Sequence, residues 1–253
     1  MHALHAPLNP EAIASLERAT LDAVAPPAVE EIDGWLLPFD NSTIGRAKSA
    51  VPLRHDGLDA AQIPQIEALY AQRGLHAAFR VADVPALANI HAELRRLGYQ
   101  AQQPTLVQVG SVQRMRQICQ QPPADVRDTP TPDWSAVYLA KGFDPVDGAN
   151  RIQALSRSRH VVYASVVQEG QPIAAGTAAL SQGWASIHGM RTVTEHRGRG
   201  LAARILAGLA DTAAARGLER VFLQVEEEND SALALYRRAG FSTACRYHYW
   251  RRD

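Results

Sequence analysis

Apolar positions along this chain follow two periods, and the period switches where glycine, proline or asparagine interrupts. Ile13, Leu16, Leu21 and Val24 recur at helical spacing and predict a helix over 10–24. Short apolar runs at 34–39 and 47–53 read as strands. Helices follow at 64–72 and 85–97, each closed by a glycine (Gly74, Gly98) suited to a left-handed cap, and each is followed by a strand, at 77–81 and 105–109. The stretch 120–133 breaks the pattern with Pro122, Pro123, Pro130 and Pro132 and reads as a linker. Beyond it come a helix at 145–158, strands at 161–167 and 172–180 joined by Gln168-Glu169-Gly170-Gln171, and a strand at 184–193. Leu201, Ile205, Leu209 and Ala213 put one apolar stripe on a helix over 200–216 that stops at Gly217. A strand at 221–225, a helix at 231–239 and a strand at 246–250 complete the chain.

The second half repeats the order of the first. Arg73-Gly74-Leu75 followed by Phe79 matches Arg216-Gly217-Leu218 followed by Phe222, with 143 positions between Gly74 and Gly217. Arg95-Arg96-Leu97-Gly98-Tyr99 matches Arg237-Arg238-Ala239-Gly240-Phe241, with 142 between Gly98 and Gly240. Two offsets that agree to one residue predict an internal duplication.

The 253 residues suffice for one large domain or two smaller ones, and a hydrophobic fraction of 46% provides a packed core for either. Lys plus Arg equals Asp plus Glu at 26 each, so nothing global favours nucleic acid or an anionic membrane, and any anion site must be local. Cys119 and Cys245 form neither a disulfide framework nor a zinc pattern, and no metal is expected. Residues 1–17 lack the apolar core of a signal peptide, and no apolar run approaches the ~20 residues of a membrane span. A cytoplasmic protein is expected.

The local charge appears at His196-Arg197-Gly198-Arg199-Gly200-Leu201-Ala202, between a strand and the best helix of the chain. The first N–H groups of a helix have no internal partner, and its dipole adds partial positive charge there. Gly198 and Gly200 allow those N–H groups to converge on an anion, and Arg197 and Arg199 add full charge. Downstream, Asn229 or Asp230 is placed to cap the helix that carries Ala232, Leu235 and Tyr236. A phenol is a suitable proton donor to a departing thiolate.

Together these residues resemble the GNAT superfamily of N-acetyltransferases. The family's pyrophosphate motif, (Gln/Arg)-x-x-Gly-x-(Gly/Ala), fits Arg197 to Ala202, and its second signature fits Asn229, Ala232, Tyr236, Gly240 and Phe241 at every named position. The likeness spans 161–250. It implies an α/β fold with a mixed sheet whose central strands splay apart in the C-terminal half, and acetyl-coenzyme A as acyl donor. The pantetheine arm would pair with the strand edge near Arg191, Thr192 and Val193, and the pyrophosphate would lie on the backbone of Arg197, Gly198, Arg199, Gly200, Leu201 and Ala202. Asn229 and Ala232 would meet the cofactor, and Tyr236 would protonate the thiolate as an amine attacks directly. Glu226 and His188 are the candidates for the base.

The first half departs from the motif, with Arg54-His55-Asp56-Gly57-Leu58-Asp59 where a phosphate loop would stand and Leu94 in the place of Tyr236. The expected organisation is therefore a tandem: a degenerate GNAT-like domain over 1–118, a linker over 119–133 and a catalytic domain over 134–253. The first half would wall the acceptor site. Arg46 and Lys48 read first as a surface turn and second as contacts to an acidic group on the acceptor. Trp184, Tyr247, Tyr249 and Trp250 are candidate pocket aromatics. The partner would be a small-molecule or peptide amine, with no nucleic acid and no membrane, and the protein a monomer or homodimer. Two rival readings are a coenzyme A-binding sensor or scaffold without acceptor chemistry, and a dinucleotide-dependent oxidoreductase. The second rests on Gly198-x-Gly200-x-x-Ala203 with Glu226 as ribose acid.

Overall fold

A computed structural model describes residues 8–252, so residues 1–7 of the stretch read for a signal peptide lie outside it. Eight strands form one mixed sheet in the order β4-β11-β5-β10-β9-β8-β7-β6. These are β4 (Phe79–Ala82), β5 (Gln100–Ser111), β6 (Asp125–Arg127), β7 (Val161–Gln168), β8 (Gln171–Ser181), β9 (Trp184–Thr192), β10 (Arg220–Glu226) and β11 (Ser242–Arg251). A small antiparallel sheet of β1 (Ala28–Ile32), β2 (Trp35–Phe39) and β3 (Val51–Pro52) is joined to the edge of β4 by the bridge Ala50–Phe79.

Helices cover both faces. The helix α1 (Pro10–Val24) starts at Asn9, whose side chain accepts from the Ala12 N–H at 2.8 Å. Its Leu16 and Ala19 pack with Val107, Trp184, Phe222, Tyr247 and Tyr249. The opposite face carries α8 (Leu201–Ala215), whose Ile205, Leu206 and Leu209 join β7, β8 and β10 in one core. The other helices are α2 (Gly45–Lys48), α3 (Gln62–Ala71), α4 (Ala88–Arg96), α5 (Val112–Arg116), α6 (Pro132–Tyr138), α7 (Pro145–Arg157) and α9 (Asp230–Arg238).

Several expectations are corrected. The run 47–53 is not one strand, because its first residues complete the single turn of α2, and pairing begins with the isolated bridge of Ala50 and the two-residue strand Val51–Pro52. The proline-rich stretch is not a free tether. The Ala124 N–H donates to Arg204 O at 3.0 Å and Arg204 Nε to Pro122 O at 2.7 Å, so the stretch is strapped across α8 before β6 pairs with β7. The turn between β7 and β8 falls at 168–171, where the sequence places it. Glu169 and Gly170 at φ 52° and 75° form a two-residue turn of the kind that suits strand twist.

Both halves of the chain build the large sheet. From the first half, β5 lies between β11 and β10, antiparallel to each. The order β4-β11-β5-β10 reads the same from either end when β4 is exchanged with β10 and β5 with β11.

Candidate active site

The one parallel pair in the large sheet, β9 with β10, holds only from Arg220–Trp184 to Leu223–Ile187. Beyond that point the two strands part, and the cause is local. The pairing of β9 with β8 shifts between Thr177–His188 and Ala175–Arg191, an extra residue on β9 that makes a β-bulge. Gly189 sits in the bulge at φ 62°, and a Cβ there would come within 2.5 Å of the Tyr138 hydroxyl. That hydroxyl donates to Gly189 O at 2.6 Å, and Thr177 Oγ1 donates to His188 O at 3.1 Å. A bulged strand bends, so β9 turns from β10 and frees its inner backbone edge from His188 onward.

The opening is a cleft of about 850 Å³. At one end lies the loop before α8. Gly198 and Gly200 have φ of 76° and 78°, and no side chain caps the helix. The N–H groups of Gly198, Arg199, Gly200, Leu201 and Ala202 find no acceptor among the described residues. A Cβ on Gly198 would meet nothing within 4 Å, so the space before these donors is open. Five unpaired N–H groups at a helix start form a nest for an anion. Arg197 lines the cleft, with Nε donating to Thr192 O at 3.3 Å. Arg199 and Val193 do not line it, and Arg199 turns back to Glu195 O at 3.2 Å. Arg191 and Thr192 line the wall opposite, paired on their outer side with Ala175 and Ala174.

From α9 come Asn229, Ala232 and Tyr236. Asn229 Oδ1 accepts from the Ala232 N–H at 3.1 Å, which leaves the amide nitrogen for the cleft. Tyr236 is packed edge-on against Phe241, and its hydroxyl has no hydrogen-bond partner among the described residues. Burial pushes its pKa up to about 12, so the phenol keeps its proton at neutral pH.

The two base candidates differ in setting. His188 is buried at the mouth of the splay, edge-on to Phe222, with Nε2 lacking a partner. Desolvation, then the charges of Arg46 and Arg151, hold its pKa well below the ordinary histidine value, so the ring is neutral. Glu226 ends β10 and is exposed, with Oε1 accepting from Gln103 Nε2 at 2.7 Å.

The four aromatics divide evenly. Tyr247 and Tyr249 line the cleft. Trp184 is core, with Nε1 donating to Ser15 Oγ at 2.9 Å, and Trp250 is buried against His91. Arg46 is not a surface turn. It lines the cleft, as do Thr43, Gln103 and Arg151, none of which the sequence pattern singled out as cleft residues. Arg238, also missed, lines the cleft from the exposed side of α9.

A splayed parallel pair with an amide nest at the following helix defines the class: the fold is that of the GNAT superfamily of N-acetyltransferases. Within it the chain belongs to the family described as "Probable histone acetyltransferase Rv0428c C-terminal", which it matches over residues 11–250. Among solved structures, a GCN5-related N-acetyltransferase from Kribbella flavida superposes with a TM-score of 0.67 at 17% identity, covering 95% of each chain. A tandem GNAT protein from the clavulanic acid biosynthesis pathway superposes with a TM-score of 0.61 at 18% identity, over 98% of this chain and 89% of that one. An uncharacterised N-acetyltransferase, YobR of Bacillus subtilis (strain 168), is 29% identical over 117 residues, 41% of this chain and 47% of that protein. The chain thus matches about half the length of YobR.

Proposed function

We propose that the protein is an acetyl-coenzyme A-dependent N-acetyltransferase that uses one site, the cleft between β9 and β10. The observation that carries this is the set of five unpartnered N–H groups from Gly198 to Ala202 at the end of an open cleft. Main-chain donors at a helix start match a diphosphate in charge and spacing. The free edge of β9 near Arg191 and Thr192 offers pairing to the amides of a pantetheine arm. Arg197, beside the nest, adds charge at the phosphate end, and Arg238 adds charge to the cleft.

In this reading the acceptor amine attacks the thioester carbonyl directly. As the tetrahedral adduct collapses, Tyr236 gives its proton to the thiolate of coenzyme A. Glu226 takes the proton lost by the amine. His188 is the poorer base, because a buried imidazolium beside two guanidinium groups is costly; its neutral Nε2 accepts a hydrogen bond from the amine and aims the lone pair. The halves 1–118 and 134–253 are taken as tandem repeats of which the second keeps the cofactor site. The symmetric strand order β4-β11-β5-β10 supports this. Two free cysteines fit a reducing cytoplasm.

Calorimetry with acetyl-coenzyme A and with NAD, run beside a thiol-release assay over a panel of amines, tests the proposal. Acetyl-coenzyme A is expected to bind, NAD not to bind, and Gly200→Asp to lose cofactor affinity by at least about tenfold as a carboxylate enters the nest. NAD binding without acetyl-coenzyme A binding defeats the proposal. Cofactor binding with no thiol release from any amine turns it to the sensor reading.

A further inference from the structure

We infer that the acceptor is a small amine that also carries a carboxylate, and that Arg46 of α2 reads that carboxylate. The inference rests on the cleft described above being an acetyltransferase site, and it adds the chemical class of the acceptor.

The amine end of the cleft is unevenly charged. Arg46, Arg151, Arg191 and Arg251 line it, and Glu226 is the one carboxylate among the described lining residues. Asp147 stands behind the wall and is shared: Arg151 Nε donates to its Oδ2 at 2.7 Å and Arg191 Nη2 to the same oxygen at 2.6 Å. Arg251 leans on the Tyr249 ring, and its weak contact to Gln103 Oε1 at 3.5 Å neutralises nothing. Four guanidinium groups therefore meet two carboxylates, and the excess positive charge faces the cleft.

Arg46 is the group left without an answer. It makes no ion pair and no side-chain hydrogen bond among the described residues, and its Nε is buried with no partner. Burying a guanidinium N–H without an acceptor is costly, and native structures leave few such groups unless a ligand completes them. A carboxylate is the matching acceptor, since a guanidinium presents parallel N–H groups to its two oxygens.

The position of Arg46 is fixed. Gly45 lies flat on Tyr249, where a Cβ would fall 2.8 Å from the ring. The Tyr249 hydroxyl lies 3.4 Å from that of Tyr247, which donates to Gln224 Oε1 at 3.0 Å. Gln224 is the first residue of β10 past its last pair with β9. A continuous line of contacts thus runs from Gly45, the neighbour of Arg46, to the point where the strands part. Such a field attracts an anionic amine and repels a lysine-rich peptide.

The test compares amino acids with their own carboxamides, and with a lysine-rich peptide, as acceptors and as ligands of the coenzyme A complex. Each pair keeps the amine and removes one charge. The free acids are expected to exceed the amides by about 10- to 100-fold in kcat/KM or affinity, the range of one charged hydrogen bond. Arg46→Met is expected to bring that ratio close to one, and Arg46→Lys to restore part of it, while acetyl-coenzyme A affinity reports that the fold is intact. Amides or the basic peptide serving as well as the acids overturns the inference. So does acetyl-coenzyme A binding with neither acids nor amides bound or acetylated, and that result leaves the cofactor reading standing. Loss of acetyl-coenzyme A binding itself fells the cofactor reading first and the inference with it.

Discussion

A proton donor must hold its proton until the transition state, and burial suits Tyr236 to the role proposed for it. Desolvation raises its pKa from 10.0 to about 12, so it is fully protonated at pH 8 and still largely so at pH 10. Tyr236→Phe is expected to lower kcat by about 100-fold, within the usual range for a general acid, and to change acetyl-coenzyme A affinity by less than about twofold. The wild-type profile of kcat should show no loss between pH 8 and pH 10, because a donor with a raised pKa ionises only above that window. Stopped-flow turnover across that range checks both statements, and a decline centred near pH 10 would contradict the second. The sequence marked Tyr236 by its spacing from Asn229 and Gly240, which flank the one helix that carries it. It ranked a cleft role for Arg46, far off in the chain, only second, because a charged residue in a short polar run reads first as solvated.

At the scale of elements, the site depends on one strand bending away from another. Gly189 makes that bend cheap, since its φ of 62° is open to glycine and strained for other residues. Gly189→Ala adds a Cβ 2.5 Å from the Tyr138 hydroxyl and breaks the contact that pins the bulge. A loss of stability of about 1–3 kcal/mol is expected, with a rise in KM for acetyl-coenzyme A as β9 straightens. Urea titration and steady-state kinetics measure the two effects; a variant with wild-type KM would detach the bulge from cofactor binding. The helix α8 and the loop before it were legible because their signal is contiguous: two glycines, two arginines, then an apolar stripe. The splay was not legible from periodicity, since Trp184–Thr192 carries no clean alternation for a bulge to interrupt, and only the resemblance implied an opening.

At the scale of the molecule, the halves are interlocked rather than merely joined. The buried pair of Glu17 on α1 and Arg80 on β4, both of the first half, packs against Tyr247 of the second, with Arg80 Nη1 donating to Glu17 Oε1 at 3.1 Å. Removing one partner strands a buried charge. Glu17→Ala is therefore expected to cost about 3–5 kcal/mol, and the apolar pair Glu17→Leu with Arg80→Met far less than that. Denaturant melts of the single and double variants decide; equal losses in both would show that packing, and not the unpaired charge, sets the penalty.

The sequence by itself determined the parts whose physics is local. A helix start, its cap and the residues that follow lie within a few positions of one another, so the amide nest, Asn229 and Tyr236 were specified before any fold was known. Alternation along β11 likewise put Tyr247 and Tyr249 on one face and Trp250 on the other, but not which face met a cleft. Only the tertiary structure decided that β5 lies between β10 and β11, that α1 crosses the strands of the second half, and that α2 carries Arg46 to the cleft. Strand pairing and helix docking join residues separated by more than a hundred positions, and strands buried on both faces carry no period that names their neighbour.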